Sequence, residues 1–354
     1  MEEPVPSPEQ IGATDSDDVS WGRVLITLAG LGLGAYLVVE HGWIEVLRAL
    51  QEVGWPGLAA ITLFHVLPTL VCGLAWWNLL RPHLDERWPL FVWLRWIRDG
   101  TDGVVPILPV SGELIATRLL RLRGTAMAGA GVIVDVTTEL LAQLLFAVLG
   151  FALLVTTHRD SHHLSWIVLG LGVMTVQFGG FLIAQRKGLF RLLERPFDWI
   201  RRRWRGADTE APEEVSAERT LHDQILQLHA NHRAFFGSIL LHLAAWIIGA
   251  LEAWIALRLM GHPLDVPDVL VLESLVTAIR SIIFFVPLAA GVQEAGYVLV
   301  GGLLGLPAGI ALAVSLVKRA RDLIKGVPAV LLWQLLERRA ARRTAVRAVS
   351  GPSA

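Results

Sequence analysis

Asp135, Glu139 and Gln143 fall four residues apart inside the apolar stretch 126–156, so they share one face of a helix. Lys318, Arg321 and Lys325, three and four apart, share one face inside 308–333, with Arg319 and Asp322 beside them. Groups of this kind accept and donate protons, hold counter-ions or grip a polar head group. Placed at the centre of a membrane helix, each ionised side chain costs roughly 2.5–3.5 kcal/mol. Left unpaired, the set would cost on the order of 10 kcal/mol, comparable with the whole stability of a domain. They must therefore pair or face water. The economical arrangement sets the acidic face of 126–156 against the basic face of 308–333. It reads in two ways: an ion-pair girdle that fixes helix packing, or a hydrated groove in which Lys318, Arg319 and Arg321 meet phosphate or another anion.

The elements that must carry these charges follow from composition and hydropathy. The chain has 354 residues, 54% hydrophobic and 18% charged, with a mean hydropathy of +0.54. An ordinary soluble domain has about a quarter of its residues charged. The expected class is an all-α polytopic membrane protein. Stretches of about 20 apolar residues are candidate spans, and they fall at about 22–40, 57–80, 126–156, 165–185, 234–260 and 308–333, which is about six. The net charge of −1 leaves no global field to attract nucleic acid. A single cysteine, Cys72, excludes an internal disulfide.

Two further stretches read as re-entrant hairpins. Residues 91–117 hold Arg95, Arg98, Asp99 and Asp102, then Pro109, Gly112 and Glu113; residues 269–304 hold Glu273 and Arg280, then Pro287, Gly291 and Glu294. Irregular backbone at membrane depth is tolerated only where protein or a water cavity covers it. The hairpins resemble each other ("ILPVSGEL" against "FVPLAAGVQEAG"), and so do the helices that follow ("VDVTTELL" against "VKRARDLI"). They enter from opposite sides, the layout of an inverted repeat with a site near the midplane. Glu273 and Arg280 share a side of one helix, whereas Glu252 and Arg258 in 234–260 do not and should find separate partners.

Orientation follows from Lys and Arg, which accumulate in cytoplasmic loops. Loops 81–90, 118–125, 186–233 and 334–354 carry 20 of them; the opposite side has only Arg48 and Arg159. Both termini are placed in the cytoplasm of a bacterial-type inner membrane. The expected organisation is an acidic tail over 1–20, one transmembrane domain over 21–335 and a basic tail over 336–354. Within the domain, halves of about 21–156 and 234–335 are joined by a helix at 165–185 and a loop at 186–233. Residues 186–205 mix basic and aromatic side chains and read as a helix lying on the inner leaflet, and 206–220 read as a flexible linker.

Recognisable catalytic chemistry is missing. The lysines are Lys187, Lys318 and Lys325, and none follows glycine, so a phosphate-binding loop is excluded. H-E-x-x-H and G-x-S-x-G are not found. Asp99 and Asp102 form a D-x-x-D that would hold Mg²⁺ on a prenyl diphosphate only with a second acidic cluster. His229 and His232 suit a solvated basic helix better than a metal site. No cofactor and no metal are expected.

"ILPVSGELIATRLLRLRG" and "FFVPLAAGVQEAGYVLVGGLLGL" resemble the two signature regions of the lysylphosphatidylglycerol synthase transmembrane, or flippase-like, family. The run from Gly291 to Tyr297 is similar to the hopanoid-associated branch. The resemblance implies an inner-membrane protein that moves lipids between leaflets, with membrane lipids and lipid-synthesising enzymes as partners. The motif positions it implies are Pro109, Gly112, Glu113 and Arg118, then Pro287, Gly291, Gln293 and Glu294, followed by Arg319 and Asp322. The family's aminoacyl-transferring members carry an additional soluble domain; with 21 residues after 333, aminoacyl transfer is not expected here. The rival readings are a membrane enzyme using Asp99, Asp102 and Glu113, and a non-catalytic scaffold in prenyl, hopanoid or glycolipid synthesis.

Overall fold

A computed structural model describes residues 43–104, 111–157, 221–282 and 291–349, apart from 124, 126 and 222, together with positions 32, 36, 39, 172 and 176. The expected tail over 1–20, the surface helix 186–205, the linker 206–220 and the turns holding Pro109 and Pro287 lie outside the described residues. So do the spans 22–40 and 165–185, except for those isolated positions.

Among the described residues every regular element is a helix. They are α1 (Trp43–Phe64), α2 (Val66–Leu80), α3 (Trp88–Val104), α4 (Ser111–Arg121), α5 (Ala128–Thr157), α6 (His232–Leu259), α7 (Val266–Ile282), α8 (Val292–Leu303) and α9 (Ala308–Val349). Val46–Leu80, α5 and α6 are each long and apolar enough to cross a membrane. The chain is thus a multi-pass α-helical membrane protein.

One boundary differs from the sequence expectation. Residues 41–56 fall between the expected spans 22–40 and 57–80 and so counted, with Arg48, as an outer loop. From Trp43 onward the structure makes them helix, kinked at Gly54 (φ 55°), with Val46, Ala49 and Val53 buried and Trp43, Ile44 and Leu47 exposed. α9 itself runs on to Val349, through much of the stretch expected as a basic tail. Its stretch "LERRAARRTAVRAV" is charged but made largely of good helix formers. At 42 residues α9 is about 63 Å long, roughly twice the ~30 Å hydrocarbon core, so its end projects beyond it.

The described helices form two related sets. In each, an apolar helix (α2 or α6) leads into a 17-residue helix (α3 or α7) with proline at its second position, where a missing N–H costs nothing. A helix of 11 or 12 residues follows (α4 or α8), then a long one (α5 or α9). Packing is exchanged between the sets: α3 lies on α9, α7 lies on α5, and α2 pairs with α6. Each set also buries its own apolar core. One contains Trp76, Phe91, Ile97, Leu120 and Ile133; the other contains Ile61, Leu257, Leu272, Tyr297, Ile310 and Val314. Both exchanged crossings need a glycine. A Cβ on Gly100 of α3 would meet Ala329 Cβ at 2.5 Å and Gly326 Cα at 3.2 Å on α9, and one on Gly150 of α5 would collide with Ser274 of α7.

Candidate functional site

The first charged cluster is built where α3, α4, α5 and α6 meet. Arg95 and Arg98 lie one turn apart on α3 and face α5. Arg95 holds Glu139 bidentately, Nη1 to Oε2 at 2.8 Å and Nη2 to Oε1 at 2.5 Å, and its Nε donates to Asp99 at 2.9 Å. Arg98 donates from Nη1 to Asp135 at 2.7 Å and from Nη2 to Glu139 at 2.9 Å, and it pairs with Glu113 of α4 at 3.2 Å. His242 of α6 completes the group, its Nε2 3.1 Å from the second oxygen of Asp135. Asp135 and His242 are fully buried. The planar guanidinium fork suits this work, since one group serves several carboxylate oxygens in fixed directions.

The start of α4 is tied off beside this cluster. Asp102 of α3 accepts from the Gly112 N–H at 2.7 Å and from the Ser111 hydroxyl at 3.2 Å. It therefore satisfies an orphan donor at the start of α4. Gly112 lies inside α4, where a Cβ would collide with the Arg98 carbonyl oxygen. Asp99 and Asp102 thus serve different partners, an arginine and a helix start.

The second cluster joins α7, α8 and α9. Lys318 pairs with Glu273, and the buried Tyr297 hydroxyl donates to the same carboxylate. Arg319 grips Glu294, with Nη2 to Oε2 at 2.9 Å. Gln293 donates to the Ser315 hydroxyl at 2.9 Å, and that hydroxyl donates onward to Glu294 at 3.3 Å. Gly291 opens α8 with φ 73°, a conformation that favours glycine. Glu294 is the third residue of α8 and Glu113 the third of α4, so both short helices carry a carboxylate in the first turn.

A third group sits one turn further along α9. Arg321 pairs with Glu252 of α6 and donates to Asp322 at 2.8 Å; Lys325 lies 3.3 Å from Asp322. His65, at the joint between α1 and α2, bridges Glu252 at 2.6 Å through Nδ1 and Lys325 at 2.9 Å through Nε2. An ammonium only donates, so Nε2 must accept and Nδ1–H must donate to Glu252. Lys325 is also within electrostatic reach of Asp99, which links this group to the first cluster.

The expected facing of 126–156 and 308–333 is therefore corrected. Asp135 and Glu139 are neutralised by α3, not by α9. Because α3 carries its own guanidiniums into the interior, the cations of α9 are left for the carboxylates of α6, α7 and α8. The ions do pair rather than snorkel, as their depth requires. Glu252 and Arg258 find separate partners: Arg258 lies over the Trp254 ring at 4.1 Å. Gln143 donates to Ser281 of α7. Arg118 is half-buried on α4, and Arg280 is exposed in the last turn of α7.

Sequence reasoning did not place Arg95, Arg98, His65, His242, Tyr297 or Ser315 in the site. Arg95 and Arg98 had a readable signal, two arginines at i, i+3 in an otherwise aromatic and apolar helix. His242 also had one, an imidazole inside the apolar run "SILLHLAAWIIG".

A family model described as Lysylphosphatidylglycerol synthase TM region matches residues 20–328, a stretch that holds every residue of the three clusters. No curated protein and no solved structure matches.

Proposed function

The chain belongs to the lysylphosphatidylglycerol synthase transmembrane family, and we propose that it translocates a polar-headed lipid, a hopanoid or another, between the leaflets of an inner membrane. In this reading the head group follows the charged seam between the two related sets while the tails stay in lipid. Both termini face the cytoplasm, in keeping with the loop count of basic residues. The partners are membrane lipids, with lipid-synthesising enzymes as suppliers of the cargo.

The observation that carries the proposal is the exposure of Arg319. Its side chain is 27% exposed, while those of Arg95, Arg98, Lys318, Arg321 and Lys325 lie between 5 and 13%. The partner of Arg319, Glu294, is buried, its side chain 4% exposed, so a head group that displaced Glu294 would strand a charge at about 3–5 kcal/mol. One that approaches the open side of Arg319 leaves the pair in place, and those other cations present less of themselves to such a group. Arg319 is thus the place where cargo enters the network, and the sealed clusters hold the two sets in register. An enzyme using Asp99, Asp102 and Glu113 is less well supported, because Asp102 is occupied in capping α4.

The test is lipid flipping in proteoliposomes carrying a fluorescent phospholipid. Arg319→Gln should lower the flip rate at least tenfold with the fold intact. Unchanged rates for Arg319→Gln and for the pair Asp135→Asn and Glu139→Gln would remove the transport reading.

A further inference from the structure

We propose that the end of α9 beyond the membrane is a docking site for the chain's own acidic segment, residues 1–20; this is independent of lipid transport and rests only on both termini lying on one side. Leu332, Trp333 and Leu336 pack against the same core as Leu84 and Leu221, which belong to the basic loops 81–90 and 186–233. The end of α9 thus shares the side of those loops, and the helix continues from there through Glu337 to Val349. At about 3.6 residues per turn, Arg338, Arg339, Arg342, Arg343 and Arg347 fall on one half of it. The other half holds Glu337 and small uncharged residues. The positions three and four residues from Glu337, where helical side chains are neighbours, are Ala340 and Ala341. The spacing therefore gives the arginines no acidic neighbour on their own face. Instead Arg338 and Arg342, Arg339 and Arg343, and Arg343 and Arg347 are like charges at i, i+4, which oppose the helix. The helix dipole favours Arg347 alone, in the last turn. A polyanion lying along the stripe relieves that repulsion.

Charge and reach select the occupant. A bilayer with its head groups is about 40–45 Å thick, which takes up about 30 to 32 residues of a helix at the usual tilt of about 20°. Counted from Ala308, that thickness is spent near residue 340, so Arg342, Arg343 and Arg347 stand beyond the head groups. A second copy of the chain would set one arginine stripe against another. Residues 1–20 carry Glu2, Glu3, Glu9, Asp15, Asp17 and Asp18 and neither lysine nor arginine, so six carboxylates meet five guanidiniums. The other acidic stretch, Asp208 to Glu218, is offset by its own neighbours Arg201, Arg202, Arg203, Arg205 and Arg219. Twenty extended residues reach up to about 70 Å, and Glu337 to Val349 is about 20 Å long, so reach does not limit the contact. The tether also raises the effective concentration of the acidic segment. Pairs exposed to water are individually weak and screened by salt. The docking therefore depends on several pairs forming together, and high salt undoes it.

The test places two spin labels on the full chain in lipid nanodiscs. Cys72, the single native cysteine, is buried and is replaced by alanine; the labels go on Ser16→Cys and Thr344→Cys. In phosphatidylcholine at low salt, pulsed EPR should show one short-distance population. At 1 M salt, where the screening length is about 3 Å, that population should fall roughly threefold or more. Glu→Gln and Asp→Asn at all six acidic positions of 1–20 should remove it, and so should Arg339→Gln, Arg343→Gln and Arg347→Gln together. Both sets of changes leave the membrane spans unaltered. A short distance that survives 1 M salt or either set of changes overturns the docking. One that disappears when phosphatidylglycerol is added to the nanodisc assigns the arginines to the membrane surface and also overturns it. So does the lack of any short distance at low salt. In that case labelling of the two cysteines by an impermeant maleimide in sealed vesicles separates termini on opposite sides from termini that share a side and do not meet.

Discussion

The two charged hairpin sets are built to one plan with opposite signs. Arg95 is the eighth residue of α3 and Glu273 the eighth of α7. In the first set the hairpin brings the cations and the long helix α5 the carboxylates; in the second the hairpin brings the carboxylate and the long helix α9 the cations. Matching backbones therefore do not carry matching chemistry. A bidentate guanidinium can serve three carboxylates in a sealed space, so the first set closes tightly. The ammonium of Lys318 is a single point charge that needs the Tyr297 hydroxyl to complete Glu273, and Arg319 beside it stays open. The first set looks built to hold, and the second to exchange.

The largest effect should come from Arg98, which serves Glu113, Asp135 and Glu139 at once. Arg98→Leu strands buried carboxylates and should cost about 3–5 kcal/mol, enough to lose most folded protein. Arg319→Leu, its counterpart in the second set, strands one buried carboxylate, Glu294, which keeps the Ser315 hydroxyl, so it should cost less than Arg98→Leu and lose activity besides. Thermal unfolding in detergent, read beside flipping, checks both. Equal destabilisation would erase the distinction between a holding and an exchanging set.

Next in size are the exchanged crossings. Gly100→Val forces α3 away from Ala329 and Gly326, and Gly150→Val forces α5 away from Ser274. Overpacking of this kind costs typically 1–3 kcal/mol. Each new side chain meets a Cβ, Ala329 at 2.5 Å for Gly100 and Ser274 at 2.6 Å for Gly150, so turning the Ser274 hydroxyl does not relieve the crossing and the two variants should suffer alike. Midpoints of unfolding for the two variants would sharpen the comparison. A harmless Gly100→Val would mean that α3 and α9 do not cross there.

These contrasts show how far the sequence could be read. Asp135, Glu139, Lys318 and Arg319 stood out because charge in an apolar helix needs a reason, and the hairpins stood out through their Pro and Gly residues. The partners did not. Which carboxylate meets which cation depends on α3 inserting beside α5 and crossing α9, a long-range event that helix periodicity does not encode. Residues 43–56 were missed for a local reason. Glu45, Arg48 and Glu52 interrupt the apolar run, so the stretch fell between spans, although it suits a helix once Val46, Ala49 and Val53 are packed.

Reversing one pair should move stability less. Glu273→Lys with Lys318→Glu restores opposite charges and gives the second set the sign order of the first. Each single change leaves like charges facing in a buried site, while the double should recover much of the loss, with a coupling of about 0.5–3 kcal/mol in a double-mutant cycle. Additive effects would show that the two side chains do not depend on each other.

The smallest effect belongs to Tyr297→Phe. The ring stays, with its packing against the second core, and only the hydroxyl that donates to Glu273 is lost. A hydrogen bond to a charged group is worth about 1.5–3 kcal/mol, but Lys318 still holds the same carboxylate, so the observed loss should fall near the lower figure. Glu139, the corresponding carboxylate of the first set, is held by two guanidiniums and has no hydroxyl to lose. Tyr297→Phe should therefore weaken the second set alone. In the Lys318→Met background the same change should cost more, because Glu273 then has neither partner. Should Tyr297→Phe cost the same with and without Lys318, the hydroxyl and the ammonium act independently, and Tyr297 is not making good what a point charge lacks.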